Sequence, residues 1–286
     1  MTRNTLRIRT NAYVCAMDTL LITTDFSGAA AHAATYAARL SKTLNLKSIV
    51  LYHSYDMENV NTSEIHEGSL MALEALYSTL KKDLHPDARV QLIANDLPLV
   101  LGVERICEQE HVSLVVAGTT GKSDLAQFFL GSNTISLAEK CPVPLLIVPH
   151  DAKFKPIARI VFACAMDKVK ETTPVDEITY FTKQLGSDLL VLNVGLEHKR
   201  YHPKIIPEQR DIYNLLNHLE PVYHFIEDDE IAEGIMDFVE DHDAQMLISV
   251  PKTHGFFESL FKRSVTKNLA AETEVPLLVL REREKN

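Results

Sequence analysis

An internal repeat constrains this 286-residue chain more than any other feature of its sequence. The run Val-Pro-Leu-Leu-Ile-Val at 143–148 returns as Val-Pro-Leu-Leu-Val-Leu at 275–280, an offset of 132 residues. The same offset relates Gly102 to Gly234 without a gap. Self-similarity on this scale predicts two structural copies of one folding unit.

The repeat divides the chain into segments. We expect a first domain at 17–150 and a second at 156–282, joined by a short charged linker. Residues 1–16 precede the first predicted strand and contain no continuous apolar run, so we expect a disordered N-terminal extension rather than a secretory signal.

Strand-like and helix-like patterns alternate along each copy. Near-continuous apolar strands that alternate with helices indicate a parallel sheet covered on both faces. The predicted fold class is therefore α/β, with two tandem doubly wound parallel-sheet domains. In the first copy the predicted elements lie at about 18–24, 28–44, 47–53, 64–84, 88–94, 99–110, 113–117, 132–140 and 144–148.

Composition and charge exclude several classes of partner. The net charge is −10 and no cluster of five or more Lys or Arg occurs, which argues against nucleic acid and anionic membrane partners. No apolar run approaches the roughly eighteen residues of a membrane span. Cys15, Cys107, Cys141 and Cys164 form no Cys-x-x-Cys pair. We therefore expect reduced, mostly buried thiols in a cytoplasmic protein.

Two glycine-containing corners provide the main functional signal. Gly118-Thr119-Thr120-Gly121 follows a strand-like apolar run, and Gly131-Ser132 precedes a predicted helix nine residues after Gly121. Glycine lets a backbone approach a ligand closely, and the free N–H groups at a helix start attract phosphate. Two ordinary turns and a helix cap would give the same pattern without a ligand.

The segment Gly121-Lys122-Ser123 is similar to the end of a nucleoside-triphosphatase P-loop. That loop requires a glycine five residues before its second glycine, and position 116 is Val inside the predicted strand. We therefore exclude a P-loop.

The combined motif Gly-x2-Gly-x9-Gly-Ser resembles that of the universal stress protein family. The first strand and its Thr-Asp-Phe-Ser turn, at 20–27, match the same family, and the resemblance covers roughly residues 17–149. It implies a Rossmann-like fold that binds ATP or another adenine nucleotide. Mg²⁺ is a further expected cofactor. Family members with this motif show weak or absent turnover, so the resemblance assigns no catalytic residue and favours a binding protein over an enzyme.

The resemblance also assigns the binding residues. Asp25 matches the acid on the adenine and ribose side, although it could instead cap the following helix, a role for which Ser27 competes. Thr23 shapes the pocket, and Ser54 matches the position whose backbone meets the adenine edge. The phosphate corners are assigned to Ala117, Gly118, Thr120 and Gly121, and to Gly131, Ser132 and Asn133.

The second copy departs from this pattern. At the offset of 132, Gly118, Gly121 and Gly131 become Val250, Thr253 and Arg263, while Ser132 is retained as Ser264. A β-branched Val and a long Arg should block close approach of phosphate. Asp167 stands near the position of Asp25, one residue out of register. We therefore expect one competent site per chain, in the first domain.

Three functions follow from these patterns. The first is an ATP-binding universal stress protein with a regulatory or stress-response role. The second is a protein–protein interaction module with a vestigial site and unknown partners, whose terminal strands pair within one chain or in a homodimer. The third, an adenylate-forming or nucleotidyl-transfer enzyme, would need a glycine motif near the first strand, where the chain has Thr-Asp-Phe-Ser. Bound nucleotide, nucleotide-independent partner binding and pyrophosphate release distinguish the three.

Overall fold

The structure, a computed structural model, describes residues 18–55, 62–119, 132–195, 205–251 and 275–282. Within these ranges the first half contains β1 (Thr19–Thr23), α1 (Gly28–Thr43), β2 (Ser48–Ser54), α2 (Thr62–Leu80), β3 (Arg89–Asn95), α3 (Leu99–Glu110), β4 (Val112–Gly118), α4 (Ser132–Lys140) and β5 (Leu145–Val148). The second half contains β6 (Arg159–Ala163), α5 (Val169–Thr172), α6 (Val175–Leu185), β7 (Asp188–Gly195), α7 (Ile205–Leu216), a 3-10 turn (Asn217–Leu219), β8 (Val222–Glu227), α8 (Ile231–Asp241), β9 (Met246–Ser249) and β10 (Leu277–Val279).

The described strands form one sheet in the order β3-β2-β1-β4-β5-β10-β9-β6-β7-β8. Neighbouring strands are parallel within each half. The two halves meet where β5 and β10 pair antiparallel, with Leu278 opposite Leu146. The terminal strands of the repeat thus pair within one chain. The carboxyl ends of the strands consequently lie at opposite edges of the sheet in the two halves.

Helices cover both faces of the sheet, which confirms the predicted fold class. Leu20 and Ile22 of β1 point to the face where α1, α2, α6 and α7 pack, and Leu21 points to the face of α3, α4 and α8. All three side chains are fully buried. Burial on both faces explains why β1 is continuously apolar rather than alternating.

The pairing of equivalent strands shows which residues of the two halves correspond, and it does so more accurately than the sequence repeat. Strand β1 pairs with β4, and β6 pairs with β9, so that Leu20 corresponds to Ile160, an offset of 140 residues. One hydrogen bond occurs in both halves at this offset. His53 Nδ1 donates to Thr24 O at 2.8 Å, and Asn193 Nδ2 donates to Cys164 O at 2.7 Å.

The register corrects one sequence prediction. Ala165, not Asp167, occupies the position equivalent to Asp25 at the offset of 140. Phe26 and Met166 follow these positions, and both have a left-handed backbone, with φ of 62° and 47°. Asp167 is therefore two residues out of register rather than one, because the first-strand regions of the two halves are related by an offset of 140 residues.

The segment between the halves packs against the first half. Ala152 is fully buried, and His32 Nε2 on α1 donates to Ala152 O at 2.8 Å. Phe154 contacts Tyr36 edge-on, with ring centroids 5.0 Å apart. Ala152 and Phe154 of the predicted linker therefore pack with the hydrophobic core, while Asp151, Lys153 and Lys155 stay exposed.

The repeat glycines of α3 and α8 each accommodate a neighbouring side chain. A Cβ at Gly102 would lie 1.8 Å from Tyr52 Oη, and a Cβ at Gly234 would lie 2.8 Å from Asp228 Cβ. Tyr52 is fully buried and donates to Asn95 Oδ1 at 2.8 Å. Neither helix has room for a side chain at this position.

Three of the four cysteines lie within the described residues; all three are buried, as expected, and no disulfide joins them. Burial raises the pKa of the Cys141 thiol to about 11 and also raises the pKa of Cys107. These two thiols are therefore poor nucleophiles at neutral pH. Cys15 lies outside the described residues. Among the described helices none is both long enough and apolar enough to span a membrane.

A cluster of rings in the second half is expected to make the free energy of unfolding depend on pH. His242 stacks on Phe238 with centroids 3.8 Å apart, and His224 lies 5.0 Å from His242. Burial lowers the pKa of His224, and the nearby His242 lowers it further. The unfolded chain therefore binds a proton more readily than the folded chain does.

We expect the free energy of unfolding to fall as the pH falls from about 6.5, the ordinary histidine value, through the lower pKa of folded His224. His224→Phe keeps an aromatic ring beside Phe238 and removes the titrating group. Urea unfolding of both proteins at pH 7.5 and pH 5 measures the effect. If the wild type and His224→Phe lost the same free energy of unfolding between pH 7.5 and pH 5, the prediction would be wrong.

Candidate functional site

A cavity of about 370 Å³ opens at the carboxyl ends of β1, β2 and β4. Ligands of open α/β sheets bind in this position, beyond the strand ends. The cavity is lined by Thr23, Thr24, Asp25, Ser27, Ala29, Ala30, Ser54, Pro98, Leu99, Ala117, Gly118, Asn133, Thr134 and Leu137.

The turn after β1 forms the central wall. Thr23 Oγ1 donates to Val116 O at 3.2 Å, which joins β1 to β4 at the cavity floor. Asp25 is exposed, and its Oδ1 accepts a hydrogen bond from Ser27 N at 2.9 Å. Ser27 caps α1, because its Oγ accepts from Ala30 N at 3.2 Å. Ser27 rather than Asp25 is thus the helix cap, and the Asp25 carboxylate remains at the cavity.

Ser54 ends β2 on one side of this wall. Its hydroxyl donates to Leu97 O at 2.6 Å, and Leu97 N donates to Asn95 Oδ1 at 3.1 Å. Burial raises the pKa of Tyr52, and side-chain hydrogen bonds with Ser54 and Asn95 oppose that rise. These bonds hold the loop between β3 and α3 against the end of β2.

The first predicted phosphate corner lies on the other side. Ala117 and Gly118 line the cavity. A Cβ at Gly118 would lie 2.8 Å from Ala29 O, a backbone atom of α1. Close packing of α1 on β4 is therefore sufficient to require glycine here, whether or not a phosphate binds.

Helix α4 begins beside this corner at Ser132. Asn133 is exposed at the cavity, and Thr134 Oγ1 donates to Gly118 O at 3.3 Å, which anchors the helix start to the end of β4. The predicted binding residues Thr120, Gly121 and Gly131 lie outside the described residues, as does the side chain of Ser132. The structure thus brings together six predicted positions: Thr23, Asp25, Ser54, Ala117, Gly118 and Asn133.

Sequence reasoning missed eight residues of the wall. Pro98 and Leu99 could have been found, since they follow the third predicted strand, whose carboxyl end must lie at the same edge of a parallel sheet. Thr134 and Leu137 follow Asn133 on α4. The remaining four are Thr24, Ser27, Ala29 and Ala30, on the turn after β1 and the start of α1.

The chemistry of the described wall suits binding of a polar ligand. It offers one carboxylate, that of Asp25, together with hydroxyl and amide groups and a few apolar side chains. Among the described residues no group of three His, Cys, Asp or Glu side chains is placed to hold a metal ion.

The equivalent region of the second half lacks polar side chains at the predicted binding positions, although Asp167, Thr172 and Thr173 line the cavity there. At the structural register Thr23, Asp25 and Ser54 correspond to Ala163, Ala165 and Val194, and Val250 replaces Gly118. The cavity there measures about 20 Å³ among the described residues, and Met166 and Val250 are among those that line it. This space holds no more than a water molecule. Thr253, Arg263 and Ser264 lie outside the described residues.

The first half of the chain is similar in sequence to known proteins. Residues 17–149 match the model of the universal stress protein family. A universal stress protein of Methanocaldococcus jannaschii is 26% identical over 151 residues, which cover 45% of this chain and 93% of that protein.

Solved structures extend the likeness to both halves. A universal stress protein from Archaeoglobus fulgidus superposes on 93% of this chain and 98% of its own, with a TM-score of 0.72 and 16% identity. A Pseudomonas aeruginosa protein of unknown function covers 93% of each chain, with a TM-score of 0.62 and 13% identity. At these identities the likeness concerns the fold. Residues 17–149 therefore form a domain of the universal stress protein family, and the second half of the chain repeats the same fold.

Proposed function

We propose that the first half of the chain binds an adenine nucleotide, ATP in the first place, and acts as a regulatory protein in a stress response rather than as an enzyme. The observation that carries the proposal is the cavity of about 370 Å³ between Asp25, Ser54 and the start of α4. Its position beyond the strand ends suits a nucleotide.

The phosphates belong at the α4 end of this cavity. The first turn of a helix has free N–H groups and a positive dipole end, both of which favour anions. Gly121 and Gly131 both precede α4 in the sequence, and glycine allows the backbone to approach a phosphate group closely. The proposed binding residues are Thr23, Asp25, Ser54, Ala117, Gly118, Thr120, Gly121, Gly131, Ser132 and Asn133. Mg²⁺ enters the proposal as the counter-ion that ATP brings with it.

Asp25 supplies the contact to the sugar. Its Oδ1 is held by Ser27 N, so the carboxylate is oriented before a ligand arrives. A carboxylate accepts strong hydrogen bonds from hydroxyl groups, and a ribose offers two of them. We infer that Asp25 binds the ribose and that the second half, with Ala165 in its place, does not bind nucleotide.

Calorimetric titration of ATP with Mg²⁺ tests the proposal. We expect one site per chain in the wild type and an affinity about tenfold to a hundredfold lower in Asp25→Ala, because the variant loses a hydrogen bond to a charged group. Asp25→Ala copies the residue of the second half. Asp176→Ala, which removes an exposed carboxylate of α6, should bind ATP as the wild type does.

Gly131→Arg copies Arg263 and should abolish binding through the phosphate end. Wild-type protein that binds no adenine nucleotide would overturn the proposal. Two sites per chain would overturn the inference that the second half is empty.

A protein-interaction role is the alternative function. It is favoured by large apolar side chains that are exposed in the second half, on α7 and on β8, the edge strand of the described sheet: Ile206, Tyr213, Val222 and Phe225. Binding of a partner protein that is the same with and without ATP, and the same in Asp25→Ala, would support this alternative.

A further inference from the structure

We propose that Ser54 selects the base of the bound nucleotide, by accepting a hydrogen bond from an amino group and disfavouring a carbonyl oxygen at the same place. The inference rests on the proposed function, since it concerns the ligand of the same cavity. It assigns to the Ser54 side chain a role in distinguishing 6-aminopurines from 6-oxopurines.

The direction of one hydrogen bond carries the inference. A serine hydroxyl has a single proton and two lone pairs. Ser54 donates that proton to Leu97 O, at the short distance of 2.6 Å. Leu97 precedes the two residues, Pro98 and Leu99, that line the cavity beside Ser54. Ser54 also contacts the hydroxyl of Tyr52, whose own proton goes to Asn95 Oδ1. With the Ser54 proton committed to Leu97 O, Ser54 Oγ has only lone pairs left to offer the cavity.

The loop that receives the proton is itself fixed. Leu97 N donates to Asn95 Oδ1, and the same oxygen accepts from the hydroxyl of Tyr52. Tyr52 is fully buried against Gly102. Rotation of the Ser54 hydroxyl toward a ligand would give up the bond to a carbonyl that this network holds in place. An unpaired, partly buried carbonyl is costly.

The sheet order places the base, rather than the phosphates, near Ser54. Strands β2 and β4 flank β1, so Ser54 and Gly118 lie two strand spacings, about 10 Å, apart along the sheet edge. Helix α4 begins on the Gly118 side, where Thr134 bonds Gly118 O. Phosphates at α4 and a ribose at Asp25 therefore leave the base at the Ser54 end.

Adenine and hypoxanthine test this arrangement. Adenine carries an amino donor at position 6 and an unprotonated N1, whereas hypoxanthine carries an oxygen acceptor at position 6 and a proton on N1. The amino group can donate to Ser54 Oγ. The oxygen would face a lone pair without a proton between them, so both acceptors would lose their hydrogen bonds to water.

The experiment compares ATP with inosine triphosphate by calorimetry in the wild type, Ser54→Val and Ser54→Thr. We expect the wild type to prefer ATP by about tenfold or more, the scale of one hydrogen bond. Ser54→Val, which copies Val194 of the second half, should reduce the preference to about threefold or less. Ser54→Thr retains the hydroxyl and should retain the wild-type preference. Thermal melts establish that each variant is folded, and Ser54→Ala removes the hydroxyl without added methyl groups if Ser54→Val does not fold.

Two results would overturn the inference alone: ATP binding with no preference over inosine triphosphate, or a preference that persists in both Ser54→Val and Ser54→Ala. Absence of ATP binding to the wild type would instead overturn the proposed function, and this inference with it. The two failures are therefore distinguishable.

Discussion

Gly102→Ala is expected to lower the free energy of unfolding by about 3 kcal/mol, the upper range for overpacking a core. The new methyl group would lie 1.8 Å from Tyr52 Oη and 2.6 Å from Tyr52 Cζ. Tyr52 cannot swing aside, because its ring is fully buried and its hydroxyl is bonded to Asn95. The strain must therefore separate α3 from β2. Urea unfolding measures the loss.

Gly68→Ala is the matched control for this prediction. Gly68 lies inside α2, is exposed, and would have nothing within 4 Å of an added Cβ. Alanine is the better helix former, so this variant should gain about 0.5–1 kcal/mol. The same chemical change thus has opposite signs in two helices. If Gly102→Ala were as stable as the wild type, the packing of Tyr52 on α3 described above would be wrong.

Leu278→Asp is expected to cost about 4–5 kcal/mol, which is enough to unfold a marginally stable protein. Leu278 is fully buried on β10 and faces Leu146 across the junction of the two halves. A carboxylate there would be surrounded by apolar side chains of the core that both halves share. Burial of a charge without a partner is among the most destabilising changes known in proteins.

Leu101→Asp provides the comparison. Leu101 is exposed in the first turn of α3, where a carboxylate interacts favourably with the helix dipole. We expect this variant to change the free energy of unfolding by no more than about 0.5 kcal/mol. Circular dichroism during urea unfolding follows both proteins. Loss of less than about 1 kcal/mol in Leu278→Asp would show that β10 is not packed against β5.

The fold could be predicted from the sequence where one local pattern decides the structure. The predicted helix at 99–110 coincides with α3, because its apolar spacing has a single interpretation. The long second helix was predicted at 64–84 and spans Thr62–Leu80. Residues after Leu80 form turns instead, and the apolar Leu84, buried in the core, extended the helical pattern beyond the helix itself.

Features that depend on contacts between distant segments could not be predicted. The second half is eight residues shorter than the first between its second strand and the helix that carries the repeat glycine. The offset of 132 residues therefore does not extend to the first-strand region, where Ala165 corresponds to Asp25. Packing of Ala152 and Phe154 on α1 is likewise invisible in a segment whose composition is charged.

The candidate site also has features that could be predicted from the sequence and features that could not. Motif residues such as Asp25 and Gly118 could be named from the sequence, and the structure places both at one cavity. The reason for glycine at position 118 differs in part from the expected one, because the close neighbour is Ala29 O of α1. The direction of the Ser54 hydroxyl required coordinates, since it depends on Leu97, forty-three residues away.

The antiparallel junction of β5 and β10 builds within one polypeptide what two identical subunits would otherwise build by association. In a symmetric pair of identical subunits every substitution occurs twice, so neither site can change without the other. A tandem chain is free of that constraint. Ala165 and Val250 stand in one half while Asp25 and Gly118 stand in the other, so the two halves of one continuous sheet carry different residues at equivalent strand ends.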